Sequence, residues 1–108
     1  MSGVVCTHLD EITVTELPPS VDGCEDCLRI GDKWLHLRIC LVCGHVGCCD
    51  DSPNRHASAH GRQPGHAIMR SLEPGEDWSW CFIDQVGMRI PEVHGETRIP
   101  PSPMLSGR

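Results

Sequence analysis

Aromatic and cationic residues are both scarce in this chain. Its 108 residues include no Tyr, one Phe and three Trp, so few large side chains are available for a core. Nine Lys and Arg stand against fifteen Asp and Glu, giving a formal charge of -6, and no basic cluster occurs anywhere along the sequence. Because phosphate binding depends on clustered cationic side chains, we expect no nucleic-acid partner.

Long apolar runs are also missing. No stretch reaches the roughly 18 apolar residues that a membrane-spanning helix needs, and the first eight residues lack the basic and apolar regions of a secretory signal. We therefore expect a cytoplasmic protein without a membrane partner. In that reducing environment disulfides are disfavoured.

Cysteine and histidine are abundant instead. Eight Cys and seven His occur in a chain whose length suits one domain. Small domains that bury little apolar surface commonly add disulfides or a structural metal. With disulfides disfavoured, Cys and His at short spacings indicate metal binding.

Short helices and strands are predicted along the chain. A strand and loop are expected around Ile12–Thr15, and a helix over Cys24–Gly31 that ends at its glycine. Trp34–Cys40 alternates between two faces and predicts a half-buried strand. The turn residues 51–54 precede a helix over 55–60, and two further strands, 66–70 and 78–83, flank a turn at 73–76. Pro and Gly become frequent after Ile90, so we predict a domain over 1–90 and a flexible tail over 91–108.

Two Cys-x-x-Cys pairs are the strongest motif. Zinc prefers four sulfur or nitrogen ligands in a tetrahedron, and a two-residue gap lets a tight turn aim two thiolates at one ion. Seven Cys, four His and one Asp supply twelve ligands in all, enough for about three zinc ions per chain. The predicted ligands are Cys6, His8, Cys24, Cys27, Cys40, Cys43, Cys48, His56, His60, His66, Cys81 and Asp84.

Some candidate ligands have another interpretation. A lone Cys or His is commonly a buried small hydrophobe or a surface imidazole, and we favour that for Cys49, His36, His45 and His94. Asp84 could be a solvated charge as readily as a zinc ligand, since carboxylates are the less usual choice.

The ordered ligand set over residues 6–84 resembles the UBP-type zinc finger. That family occurs in ubiquitin-specific proteases, in a cytoplasmic histone deacetylase and in small free-standing bacterial proteins. The resemblance implies an α+β fold, a small twisted antiparallel sheet with two short helices, stabilised by interleaved zinc sites. It also implies the grouping of ligands into Cys24, Cys27, Cys48 and His56; Cys40, Cys43, His60 and His66; and Cys6, His8, Cys81 and Asp84, the last a Cys in three-metal members.

The resemblance further implies a peptide-binding pocket. Characterised eukaryotic members capture the free C-terminal Gly-Gly carboxylate of ubiquitin between aromatic walls closed by an Arg. Trp80 and Phe82 match the aromatic positions, whereas Asp50 stands in the region of the Arg and would repel a carboxylate. Arg38, Arg55 or Arg70 could supply the missing cation from a neighbouring element, and Arg38 is our candidate.

Three classes of function fit these observations. The first is a module that binds a protein or peptide, for example through a free C-terminus. Ubiquitin itself is disfavoured as the partner. The second is a zinc scaffold without peptide recognition, in which Trp78 and Trp80 only pack. The third, an enzyme or thiol redox protein, fits least well because twelve ligands close all three sites, whereas catalytic zinc keeps an open position.

Overall fold

The computed structural model describes residues 6–105, which form two short α-helices and a small sheet. A single 3-10 turn, Leu9–Glu11, precedes them. In chain order the helices and strands are α1 Glu25–Ile30, β1 Leu37–Cys40, β2 Val46–Cys48, α2 His56–Gly61, β3 Ile68–Ser71, β4 Trp78–Cys81 and β5 Val86–Arg89. Neither helix, within the described residues, is long and apolar enough to cross a membrane.

The five strands form one antiparallel sheet in the order β2-β1-β3-β4-β5. Its register places Met69 opposite Cys40 on one side and opposite Trp80 on the other. Trp80 in turn lies opposite Gly87 of β5. The predicted fold class, an α+β arrangement of an antiparallel sheet with two short helices, is confirmed.

The core lies on one face of the sheet and is built partly from cysteine. Leu37, Ile39, Leu41 and Ile68 are its largest fully buried side chains, and four fully buried thiols pack among them: Cys24, Cys27, Cys48 and Cys81. Because these thiols are predicted metal ligands, the candidate metal groups are part of the core.

Sequence reasoning placed α1, α2 and the strands β1, β3 and β4 correctly, with boundaries shifted by a few residues. It missed β2 and β5, the two edge strands of the sheet. The strand predicted around Ile12–Thr15 is wrong. The backbone N–H groups of Thr13 and Val14 both donate to the carbonyl of Leu41, at 3.0 and 2.9 Å. Two donors on one carbonyl do not make the alternating hydrogen bonds of a β-ladder, so this segment is a loop.

Residues 91–105 lie along the first part of the chain. Isolated parallel bridges join Glu16 to His94 and Ser20 to Arg98, and Val93 is buried in the core. Ser102 Oγ donates to the carbonyl of Trp34 at 3.0 Å. The described part of this segment is therefore attached to the domain, while the flexibility of the tail and a boundary at residue 90 stay predictions.

Candidate metal centres and the aromatic cleft

The first candidate metal centre joins both helices to β2. Cys24 is the N-cap of α1, where its sulfur accepts a hydrogen bond from the backbone N–H of Cys27. Cys48 ends β2 and His56 begins α2. His56 Nδ1 lies 3.3, 3.4 and 3.5 Å from the sulfurs of Cys24, Cys27 and Cys48. The four side chains therefore converge on one point.

These spacings fit a tetrahedral metal and exclude a disulfide. The Cys27 and Cys48 sulfurs are 3.9 Å apart, and none of the eight cysteines forms a disulfide. A disulfide needs about 2.05 Å, whereas zinc bonds of about 2.0 to 2.3 Å separate tetrahedral ligand atoms by about 3.3 to 3.8 Å.

The second candidate centre joins β1, α2 and the segment just before β3. Cys40 ends β1, and a tight turn, in which Gly44 N donates to the Cys40 carbonyl at 2.8 Å, brings Cys43 back beside it. The Cys43 sulfur lies 3.3 Å from His60 Nε2, and the Cys40 sulfur lies 3.7 Å from His66 Nδ1. All four ligand atoms fall within 4.8 Å of one another.

The third candidate centre ties the N-terminal segment to the turn between β4 and β5. His8 Nδ1 lies 3.5 Å from the Cys81 sulfur and 3.0 Å from Asp84 Oδ2, and Cys6 completes the group. Asp84 Oδ2 also accepts hydrogen bonds from the backbone N–H and the hydroxyl of Thr7, at 2.7 and 3.0 Å. The N–H of Thr7, followed by its hydroxyl and His8, holds the pKa of Asp84 below its usual range, which favours an ionised carboxylate.

The protein groups of these centres perturb one another in ways that a divalent cation would relieve. A hydrogen bond with Cys48, and then burial, raises the pKa of Cys24, while the same bond lowers the pKa of Cys48 to about 5. Burial raises the pKa of the Cys6 thiol to about 11. Burial followed by repulsion from His45 lowers the pKa of His60, which favours the neutral imidazole that metals bind. Buried thiolates are stable beside a metal ion, so the donor sets fit zinc.

His45 has a role that sequence reasoning missed. Its ring stacks on His60 with centroids 4.6 Å apart, and its two nitrogens approach Glu25 and Asp26 of α1 at 3.4 and 2.7 Å. His45 thus connects the second centre to α1, the helix that carries Cys24 and Cys27 of the first centre. Only the fold reveals this contact, because Asp26 lies 19 residues away. Like the other three residues set aside, Cys49, His36 and His94, it joins none of the three groups.

An aromatic cleft lies on the sheet face opposite the core. Trp78, Trp80 and Phe82 alternate along β4 and just beyond it, so they share this face. The cleft has a volume of about 260 Å³ and is closed by a loop and the first turn of α2. Its remaining lining residues are Arg38, Met69, Cys49, Asp50, Asp51, Ala57 and Ser58. The cleft contains the three residues predicted to bind a peptide, Trp80, Phe82 and Arg38. It also contains residues outside that prediction, among them Trp78, Cys49 and Met69.

Arg38 is the one of the three candidate arginines that lines this cleft. Its guanidinium lies 4.7 Å from the centre of the Trp78 ring, and its Nη1 is 4.0 Å from Glu76. Arg70 lines a different cavity on the other side of the sheet. Asp50 accepts a short hydrogen bond from the buried hydroxyl of Ser58, which fixes its carboxylate at the cleft.

The comparisons with known proteins agree with this geometry. The family described as "Zn-finger in ubiquitin-hydrolases and other protein" matches residues 24–92. Ubiquitin carboxyl-terminal hydrolase 16 from Mus musculus and from Rattus norvegicus is 36% identical over 76 residues, covering 55% of this chain and 8% of each hydrolase. The chain thus spans a small fraction of these curated relatives.

A solved structure resembles nearly the whole chain. The solution NMR structure of protein RPA1320 from Rhodopseudomonas palustris is 43% identical with a TM-score of 0.72, covering 94% of this chain and 97% of that chain. Together with the family match and the three Cys/His-rich groups, this similarity assigns the fold and the cofactor. The chain belongs to the family of zinc fingers found in ubiquitin hydrolases and other proteins, and it is a zinc-binding module.

Proposed function

We propose that this zinc finger is a non-enzymatic interaction module whose aromatic cleft binds the end of an extended peptide. In this proposal the three groups of four residues are the ligands of three zinc ions, and their role is structural. Each ion would take all its ligands from the protein, whereas catalytic zinc keeps an open coordination position. The thiolate-rich sites also suit a reducing, cytoplasmic setting.

The cleft is the observation that supports this function. Two of the three metal centres lie beside the cleft. Cys48 directly precedes the loop that lines it, and His56 and His60 belong to α2, whose first turn lines it as well. Flat rings on a rigid sheet can pack against a narrow chain end and cost little conformational entropy. The acidic chain, with its formal charge of -6, favours a protein or peptide partner over nucleic acid.

A free carboxylate should bind this cleft weakly. Asp50 and Asp51 both line it and repel an anion, and the charge of Arg38 is partly offset by Glu76. We therefore expect weak or undetectable binding of ubiquitin, whose C-terminal carboxylate is read by an Arg in the family.

The Asp50→Arg variant tests this expectation. It should raise the affinity for a peptide with a free C-terminus by about tenfold, because a repelling charge becomes an attracting one. NMR titrations of the wild type and the variant, each with free and amidated forms of one Gly-Gly-ended peptide, would measure the gain. If neither protein shows a shift of the Trp78 or Trp80 indole signals with any peptide, the cleft is only packing, and a zinc scaffold without peptide recognition replaces this proposal.

Asp84 gives a separate prediction for the third zinc site. Asp84→Ala should weaken or remove that zinc and lower the melting temperature, since the variant loses both a ligand and the two hydrogen bonds from Thr7. Asp84→Cys should restore binding through the commoner ligand. Metal content by mass spectrometry, with melting followed in parallel, distinguishes the variants. Full zinc occupancy and unchanged melting in Asp84→Ala would show that Asp84 is a surface charge.

A further inference from the structure

We infer that the chain end held in the aromatic cleft is an amino terminus, recognised through its positively charged α-ammonium group. This inference rests on the proposed function, which leaves open which end of a peptide is bound. It follows from the balance of charges at the cleft and from the way the structure fixes them.

Within the part of the chain that the structure describes, the acidic side of the cleft has no ion-pair partner. Asp50 and Asp51 form no ion pair with any residue in the 6–105 range, and the hydrogen bond from Ser58 is the contact that holds Asp50. That bond uses Oδ1 of Asp50, so Oδ2 remains available to a ligand. Two adjacent carboxylates with no ion-pair partner attract a cation.

The loop that presents these carboxylates is fixed by its neighbours. Cys49 N donates to the carbonyl of His36 at 3.0 Å, and Ser52 N donates to the carbonyl of Cys49 at 3.0 Å. Ser52, itself buried, accepts a hydrogen bond from the backbone N–H of Leu35 at 2.8 Å. The backbone that carries Asp50 and Asp51 is therefore held in place before a ligand arrives, and Ser58 also holds the Asp50 carboxylate, which lowers the entropic cost of binding.

The positive charge at the cleft is partly offset within the protein. Arg38 is mostly buried, with its guanidinium over Trp78 at 4.7 Å, and its Nη1 donates to the carbonyl of Leu37 at 3.1 Å. Glu76 lies 4.0 Å from the same nitrogen, and the cleft lining sets Arg38 against the two carboxylates of Asp50 and Asp51. The ring faces of Trp80 and Phe82 add a further attraction for a cation.

An α-ammonium matches this environment better than a carboxylate does. It offers three N–H donors to the carboxylates of Asp50 and Asp51, while the first residues of the peptide pack on the rings. It also stands at a chain end, so only the first residues of a peptide need to enter the cleft of about 260 Å³.

Four forms of one peptide test the inference on the zinc-loaded wild-type protein. The first is Gly-Ala-Ala-Leu-Ala with a free amino end and an amidated carboxyl end, and the second is its acetylated counterpart. The third is acetylated with a free carboxyl end. The fourth is acetylated and amidated, with Lys replacing its second residue. Shifts of the indole N–H signals of Trp78 and Trp80 report binding, and Trp34, buried elsewhere in the core, serves as the internal reference.

We expect the free-amine peptide to bind at least about tenfold more tightly than the acetylated forms, since a charged hydrogen-bonded group is removed by acetylation. Asp50→Asn and Asp51→Asn should each reduce that difference. Glu96→Gln, which removes the same charge from an exposed site outside the cleft, should leave it unchanged. Zinc content and signal dispersion would show that the variants remain folded.

The other outcomes separate the two proposals. Equal binding of the free-amine and acetylated peptides, or tighter binding of the free acid, overturns the inference and leaves peptide-end binding intact. Binding of the Lys peptide as tight as that of the free amine also overturns it, because the occupant would then be a basic side chain. If no peptide moves the Trp78 and Trp80 signals, the proposed function fails and this inference fails with it.

Discussion

Replacing Cys48 with Ser is expected to leave the chain largely unfolded, whereas the same change at Cys49 should be nearly silent. The two thiols are neighbours in sequence and both are buried, at 0% and 6% exposure. Only Cys48 belongs to a candidate metal group, where it meets Cys24, Cys27 and His56. Because metal binding supplies much of the folding free energy in such modules, losing one ligand in the core should cost several kcal/mol, on the order of the whole stability of a small domain.

Circular dichroism melting and zinc content of both variants would measure this contrast. Cys49→Ser should keep the full zinc complement and melt within a few degrees of the wild type, since its sulfur joins none of the three metal groups and hydrogen-bonds the hydroxyl of Ser52 at 3.5 Å. Equal melting temperatures for the two variants would mean that Cys48 is an ordinary core residue.

Gly61→Ala should disturb the aromatic cleft and destabilise the domain. A Cβ at this position, the last of α2, would overlap the ring of Phe82, so either the ring or the helix must move. Overpacking of this kind costs about 1 to 3 kcal/mol, and an overlap this close belongs at the upper end, above the gain of about 1 kcal/mol from replacing a helical glycine. We expect a lower melting temperature together with altered peptide binding.

Gly87→Ala is the matched control for that change. It adds the same methyl group beside Trp80, another ring of the cleft, whose nearest atom would be 3.7 Å away, an ordinary contact distance. Urea unfolding of both variants compares their free energies of unfolding. If Gly87→Ala lowers the free energy of unfolding as much as Gly61→Ala does, the close packing of α2 against Phe82 is not what destabilises the Gly61→Ala variant.

The Cys and His residues that the structure brings together can be picked out from the sequence because ligand chemistry is local, and their role as zinc ligands stays a prediction. Cys24 and Cys27, or Cys40 and Cys43, can be recognised from a two-residue gap, and α1 ends where Gly31 adopts the left-handed conformation that its position suggested. The grouping of distant ligands, such as Cys6 with Cys81, came from the family resemblance. Spacing alone does not determine which pairs share an ion.

The edge strands could not be predicted for a different reason. β2 has only three residues and one of them is Cys48, so its pattern is dominated by metal-ligand spacing. β5 has a glycine at its second position, and its residues are only partly buried or exposed. Both are strands because β1 and β4 offer them a hydrogen-bonding edge, which is a property of the assembled sheet.

The set of residues that line the cleft also depends on tertiary structure. Arg38 reaches Trp78 because its strand lies two places from β4 in the sheet, with Ser71 of β3 opposite Arg38. Alternation along Trp34–Cys40 separates Arg38 from Leu37 and Ile39, but it also places Trp34 on the face of Arg38, whereas Trp34 precedes the strand and is buried in the core. The hydrogen bond from Ser58 to Asp50 similarly joins α2 to a loop whose position the sequence does not specify.

Native mass spectrometry of the purified chain, before and after chelation and with folding followed by circular dichroism, tests the central claim most directly. The account predicts about three zinc ions on the folded chain, one for each group of four ligands, and loss of the cooperative fold when they are removed. A metal-free chain that remains cooperatively folded would contradict it.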